Sequence, residues 1–228
     1  MDNGITVIFS TKGDDDRKRV ALIENVSNTC GCECHLLCIA NPDGVALTKV
    51  YNDMMKSKNV HDDIVVFVHD DIEFLKRGWG PELLKIFDKH KDYGIVGIAG
   101  SAQFDEMGAW WNYEKKYGQV LHRNEGKSWL TAFSPLLKKD IEEVCVVDGL
   151  FIAVHRQRIK EKFDENVSGF DFYDITFCLD NYLKGVKIGV TTNIRIAHNS
   201  VGKLKESWYK NREYANKKYK DFYPINVK

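Results

Sequence analysis

Four short stretches of this 228-residue sequence carry side chains that could do chemistry. The first is Val65-Val66-Phe67-Val68-His69-Asp70-Asp71-Ile72. Two carboxylates at the exit of an apolar run are costly unless something neutralises them. A divalent cation would do so, and oxygen ligands suit magnesium or manganese. In extended backbone His69 and Asp71 point one way and Asp70 the other. That makes Asp71 the metal ligand and turns Asp70 towards a ribose or into structure; alternatively both acids cap the turn that follows. The second stretch is Val147-Asp148-Gly149-Leu150-Phe151. Gly149 between apolar runs reads either as close backbone approach to a ligand or as a plain turn with Asp148 accepting backbone hydrogen bonds. The third, Gly169 to Ile175, sets Asp174 at the start of a helical pattern among aromatics. There it serves as a helix N-terminal acid or as a general base for a substrate hydroxyl. The fourth is Ile196-Ala197-His198-Asn199-Ser200, where His198 is either structural or brings an imidazole to the same metal.

These residues need elements to position them. Ile5 to Ser10, His35 to Ala40, Ile64 to Val68 and Gly94 to Ala99 read as strands. Helical patterns lie between them: one after Asp14, Asp15 and Asp16, a second over Ala46 to Lys56, a third over Pro81 to His90. This alternation predicts an α/β fold with a mostly parallel central sheet and helices on both faces. Val144 to Val147 and Leu150 to Val154 read as strands meeting at Asp148-Gly149, and Asp171 to Lys184 as a helix. Val186 to Val190 and Asn193 to Ala197 close the pattern. In such sheets a ligand lies off the carboxyl ends of the strands. Those ends here are Ser10-Thr11, Asn41-Pro42-Asp43 and His69-Asp70-Asp71. No G-x-G-x-x-G follows the first strand and no G-K-[ST] occurs, which argues against dinucleotide and P-loop sites.

Residues 101–142 show little periodicity but carry Trp110, Trp111 and Tyr113. These rings either stack on the apolar face of a ligand or form a core or lid cluster. Cys30, Cys32, Cys34 and His35 have C-x-C rather than C-x-x-C spacing, and read as small buried hydrophobes rather than a zinc site. Lys plus Arg and Asp plus Glu both number 33, so a surface built for nucleic acid is not expected. No basic leader precedes an apolar segment, and the longest apolar runs have five residues, against the roughly 20 of a membrane span. The expectation is a soluble, cytoplasmic protein. Residues 203–228 hold eight basic and three acidic residues among aromatics. Trp208, Ala215, Tyr219 and Phe222 share one helical face there. That helix either packs on the domain or docks on an anionic membrane.

Together these motifs resemble the family-2-like glycosyltransferases of GT-A fold, and within them the branch named for a streptomycin-biosynthesis protein. The resemblance rests on Val66-Phe67-Val68-His69-Asp70-Asp71-Ile72, on Val147-Asp148-Gly149-Leu150-Phe151-Ile152-Ala153-Val154 and on Gly169 to Ile175, with support from Asn41 and Leu47 to Asn52. It covers roughly residues 4–200 and implies a GT-A-like, Rossmann-like sheet with a small antiparallel addition for a domain over 1–200, while the tail pattern adds a helical extension over 201–228 packed on it. It further implies a nucleotide-sugar donor lying across Ser10, Thr11, Asn41 and Asp70, and a manganese or magnesium ion on Asp71 and His198. Asp174 matches the catalytic acid of the family's E-D motif, while Asp148, Gly149, Trp110 and Trp111 fall to the acceptor and sugar. In two places the sequence departs from the pattern. His69 stands where many relatives carry Asp, and Tyr173 stands where Glu is usual. The implied activity is metal-assisted, inverting transfer of a sugar from a nucleotide-diphosphate-sugar to a hydroxyl of a glycan or lipid-linked acceptor. The other readings are a non-catalytic nucleotide- or sugar-binding module and a nucleotidyltransferase, the latter disfavoured because only Thr11-Lys12-Gly13 follows the first strand.

Overall fold

A computed structural model describes residues 4–13, 16–134 and 139–227. Asp14 and Asp15 lie outside the described residues.

The first half builds β1 (Gly4–Thr11), α1 (Asp16–Thr29), β2 (Glu33–Ala40), α2 (Leu47–Met55), β3 (Ile64–Val68), β4 (Ile72–Phe74), α3 (Trp79–Lys89), β5 (Tyr93–Gly97), β6 (Ala99–Ser101) and β7 (Gln103–Phe104). A 3₁₀ turn at Trp110–Asn112 precedes β8 (Lys116–Asn124) and β9 (Lys127–Ala132). There follow β10 (Glu142–Val144), β11 (Val146–Val147), β12 (Phe151–His155), α4 (Tyr173–Leu183), β13 (Lys187–Val190), β14 (Ile196–His198), α5 (Glu206–Tyr219) and β15 (Ile225–Asn226).

The main sheet has the order β10-β13-β5-β12-β3-β1-β2. β1, β2 and β3 pair in parallel, as do β5 and β13, while β12 runs antiparallel between β3 and β5. The sheet is therefore mixed but mostly parallel, with helices around it, as expected. β3 is apolar along its length, and all five of its residues are buried. That composition suits a central strand covered on both faces. A second sheet, β11-β6-β8-β14-β4, carries β9 on the edge of β8.

Several strand boundaries differ from the sequence reading, and three of them bear on the site. Val144 to Val147 is two strands: β10 joins β13 in the main sheet and β11 joins β6 in the second. The chain crosses over at Cys145, whose N–H donates to Ser101 O at 2.9 Å. Gly94 to Ala99 likewise breaks between β5 and β6, with Gly97 tight against Val147. β14 starts at Ile196 and includes His198, which is therefore held inside a ladder rather than following it.

The cysteines are all free, and Cys30 and Cys32 bring their sulfurs to 3.6 Å. Cys30 is buried; Cys32, Cys34 and Cys38 are half-buried. Among the described residues they form no three-ligand metal group.

No helix among the described residues is long and apolar enough to cross a membrane. α5 packs Trp208, Ala215 and Tyr219 inward, but Phe222 lies beyond the helix end and is exposed. Two of its lysines are paired, Lys217 with Glu213 and Lys218 with Asp164 and Asp180. Buried Asn211 donates to Ser168 O at 2.8 Å and Asp171 O at 3.0 Å, tying α5 to the loop that enters α4. Asn211→Ala strands two carbonyls at a covered position, so it should cost about 1–3 kcal/mol. A urea midpoint equal to that of the wild type would refute this tie.

Candidate functional site

Strand pairing brings the site together. His69, Asp70 and Asp71 link β3 to β4, and the His69 N–H donates to Leu150 O at 3.3 Å. β14 runs antiparallel to β4 with His198 opposite Ile72, and the Asn199 N–H donates to Asp71 O at 2.8 Å. β14 also runs parallel to β8 with His198 beside His122. The outcome is that His69, Asp71 and His198 each place one ligand atom within 4.8 Å of the others. The His69 and His198 rings are 5.5 Å apart, and His122, stacked on Trp129, lies 5.9 Å from His198.

The electrostatics fit a cation. Asp71 Oδ1 is buried with no hydrogen-bond partner, and its nearest cationic neighbour is His198 Nε2 at 3.2 Å. Burial pushes the Asp71 carboxyl up, but adjacent His198, then His69 and Ser200, outweigh it and hold it well below the usual carboxylate range. Burial pulls His198 down, yet Asp71 and then Asp148 leave it above the usual histidine range. For His69, burial and then His198 win, and the ring lies below that range. A buried, unsatisfied carboxylate oxygen flanked by two imidazoles is a donor set for a first-row divalent cation.

Asp174 is linked to this cluster through Gly149, whose carbonyl accepts from the Tyr173 hydroxyl that also meets His69 Nε2. Its Oδ2 accepts from the Gly149 N–H at 2.8 Å and its Oδ1 from the Ile175 N–H at 2.9 Å. Burial, and then the charge of Asp148, push its carboxyl up to about 7. Asp148 itself accepts from the Leu150 N–H at 2.9 Å, so it is both a turn acid and a charge felt by the site. The helix that carries Asp174 starts from Phe172, whose φ of 66° is left-handed. Such a conformation costs a bulky residue about 1–3 kcal/mol. Phe172 is held in it by burial and by the Trp208 ring at 5.2 Å.

The other expected site residues divide. Asp70 lies against Thr11, and burial followed by the Asp71 charge raises its carboxyl. Ser10 Oγ is buried without a hydrogen-bond partner. Asn41 is at the expected strand exit, but its amide is used twice on Val45, donating to its O and accepting from its N–H, both at 2.8 Å. The Asn41 side chain therefore shapes the turn and is not free for a nucleotide. Trp110 is 3% exposed and packs on Phe133 and Trp111, so it is core rather than a sugar platform. Trp111 is partly buried and faces Trp208. Sequence reasoning left out three residues: His69 as a ligand, Tyr173, and His122. The alternation across His69-Asp70-Asp71 already set His69 on the Asp71 side; the other two carried no comparable signal.

Residues 7–220 match the family described as "Glycosyltransferase like family". The chain belongs to that family. Among solved structures, this glycosyltransferase-like chain is similar to GalNAc-T7, crystallised with UDP, GalNAc and Mn2+, with a TM-score of 0.66 at 10% identity. The likeness covers 97% of this chain and 49% of that one, so the chain spans about half the length of GalNAc-T7. A197 from STIV is similar at a TM-score of 0.49 and 12% identity, over 89% of this chain and 98% of that one. No curated protein matches the sequence significantly.

Gly149 is the tightest joint of the site. A Cβ there would sit 2.7 Å from Tyr173 Cζ and 3.1 Å from Asp174 Oδ2. Gly149→Ala is expected to destabilise by about 1–3 kcal/mol through overpacking. Unfolding of the variant at the wild-type urea concentration would show that the joint has slack.

Proposed function

We propose that this glycosyltransferase-like chain moves a sugar from a nucleotide-diphosphate-sugar to an acceptor hydroxyl, with His69, Asp71 and His198 holding a divalent cation. A cation bound there supplies positive charge to a departing diphosphate. The mixed nitrogen and oxygen donor set favours manganese over magnesium, because imidazole suits transition metals. The manganese in the GalNAc-T7 crystals agrees with this preference. The donor lies along the strand exits at Ser10 and Thr11, with Asp70 facing its ribose and the Asn41 side chain kept for the turn. Its motifs are read as those of the branch named for a streptomycin-biosynthesis protein, and a glycan or lipid-linked glycan is the acceptor class.

The observation that carries the reaction type is Asp174, a carboxyl pushed up to about 7 and joined to the cation cluster through Gly149 and Tyr173. A base of that strength accepts a proton from a hydroxyl while staying ionised for much of the time at neutral pH. Gly149 and Ile175 N–H groups fix both of its oxygens, so its reach is set by the backbone. Proton removal as the hydroxyl attacks the anomeric carbon gives direct displacement and an inverted product.

Two outcomes are expected. Asp174→Asn should retain Mn2+ and nucleotide binding by calorimetry, yet lose transfer by about 10²- to 10⁴-fold. In the wild type, kcat should fall about tenfold per pH unit below pH 7, since protonation of Asp174 removes the base. A flat profile from pH 5 to 8, or an Asn variant with full turnover, would remove Asp174 from the mechanism. Asp71→Asn should abolish Mn2+ binding, and Mn2+ affinity equal to that of the wild type would rule out the cation site.

A further inference from the structure

Tyr173 is 2% exposed, and its hydroxyl sits between two partners. It lies 2.9 Å from Gly149 O and 3.0 Å from His69 Nε2. A carbonyl oxygen can only accept, so the single hydroxyl proton goes to Gly149. The hydroxyl is then left with lone pairs facing His69. An imidazole with a bare Nε2 would set lone pair against lone pair across 3.0 Å, in a buried place where an unmade bond is expensive. The arrangement is satisfied when His69 carries its proton on Nε2. A neutral imidazole protonated there has its free lone pair on Nδ1.

We infer that Tyr173 is a positioning residue that fixes the tautomer of His69 and so presents Nδ1 to the cation held with Asp71 and His198. The inference rests on the cation reading of that cluster. The ring is built into place for this task. Tyr51 packs on it at 5.8 Å nearly edge-on and Phe163 at 6.3 Å, while Gly149 has no side chain to push it away. The two residues that depart from the family pattern, His69 and Tyr173, are thus partners. A nitrogen ligand needs its proton parked on the far side of the ring, and a tyrosine hydroxyl relaying to a carbonyl parks it there. A ligand's outer partner of this kind is typically worth 10- to 100-fold in metal affinity.

The test reads the tautomer without metal and the affinity with it. Nitrogen-15 NMR of metal-free wild-type protein, with His69 assigned by its loss in His69→Ala, should show the His69 proton on Nε2. Tyr173→Phe keeps the ring and removes the relay. In that variant both tautomers of His69 should appear, and the Kd for Mn2+ by calorimetry should rise about 10- to 100-fold. A wild-type His69 protonated on Nδ1 overturns the inference, and so does Mn2+ affinity in Tyr173→Phe equal to that of the wild type. The wild-type spectrum decides the matter even if the variant folds poorly. Wild-type protein that binds no Mn2+ overturns the cation site and this role with it. That result is separable from failure of the tautomer, which the metal-free spectrum reads by itself.

Discussion

Asp71 presents a buried carboxylate oxygen that pairs with His198 Nε2 at 3.2 Å, with the His69 imidazole in the same cluster. Burial takes water from that charge, but His198, His69 and Ser200 outweigh the loss and hold the carboxyl well below its usual range, a compensation that lasts only while those partners stay in place. The fold must therefore be stable enough elsewhere to hold this arrangement, and rigid enough to stop it relaxing. Both needs are met by ladders rather than loops. β14 is pinned between β4 and β8, so His198 cannot swing away, and Asp71 is fixed by its own carbonyl's bond to Asn199. The main sheet below supplies the apolar mass that makes the burial possible.

Asp148 couples the two halves of the site. Its charge raises Asp174 on one side and His198 on the other. On Asp174 it acts after burial, and on His198 it adds to the larger effect of Asp71. The turn that carries it is rigid for a local reason, the bond from the Leu150 N–H. Asp174 and His198 feel the same charge because they share this neighbour.

How much of this could be read from residues alone depended on local pattern. Ile64 to Val68 was legible to the residue because an unbroken apolar run fits only a covered strand. Asp71 and His198 were legible as ligand types. Their meeting rests on β4 and β14, each three residues long, and such short strands leave almost no periodic trace. His122 stayed hidden because β8 is mostly half-buried, so its side chains do not alternate cleanly between apolar and polar. Tyr173 reads as a departure from a motif, and its meaning emerges only with His69, 104 residues away, in contact. The switch of sheets at Cys145 was invisible since Val144 to Val147 is apolar throughout. Asn41 shows the opposite case. Its place at a strand exit was right, while its amide turned out to serve Val45.

The antiparallel β12 has a consequence for the order of assembly. It is inserted between β3 and β5, which never touch as neighbours. A chain growing from its N-terminus can pair β1, β2 and β3 early, but β3 keeps one open edge until Phe151 to His155 has emerged. β5 waits for the same segment and then for β13. Contacts of such long sequence separation are slow to form, and open apolar edges meanwhile attract other chains. The sheet therefore stays unfinished until that segment has emerged, and His198 follows only after the gap has closed.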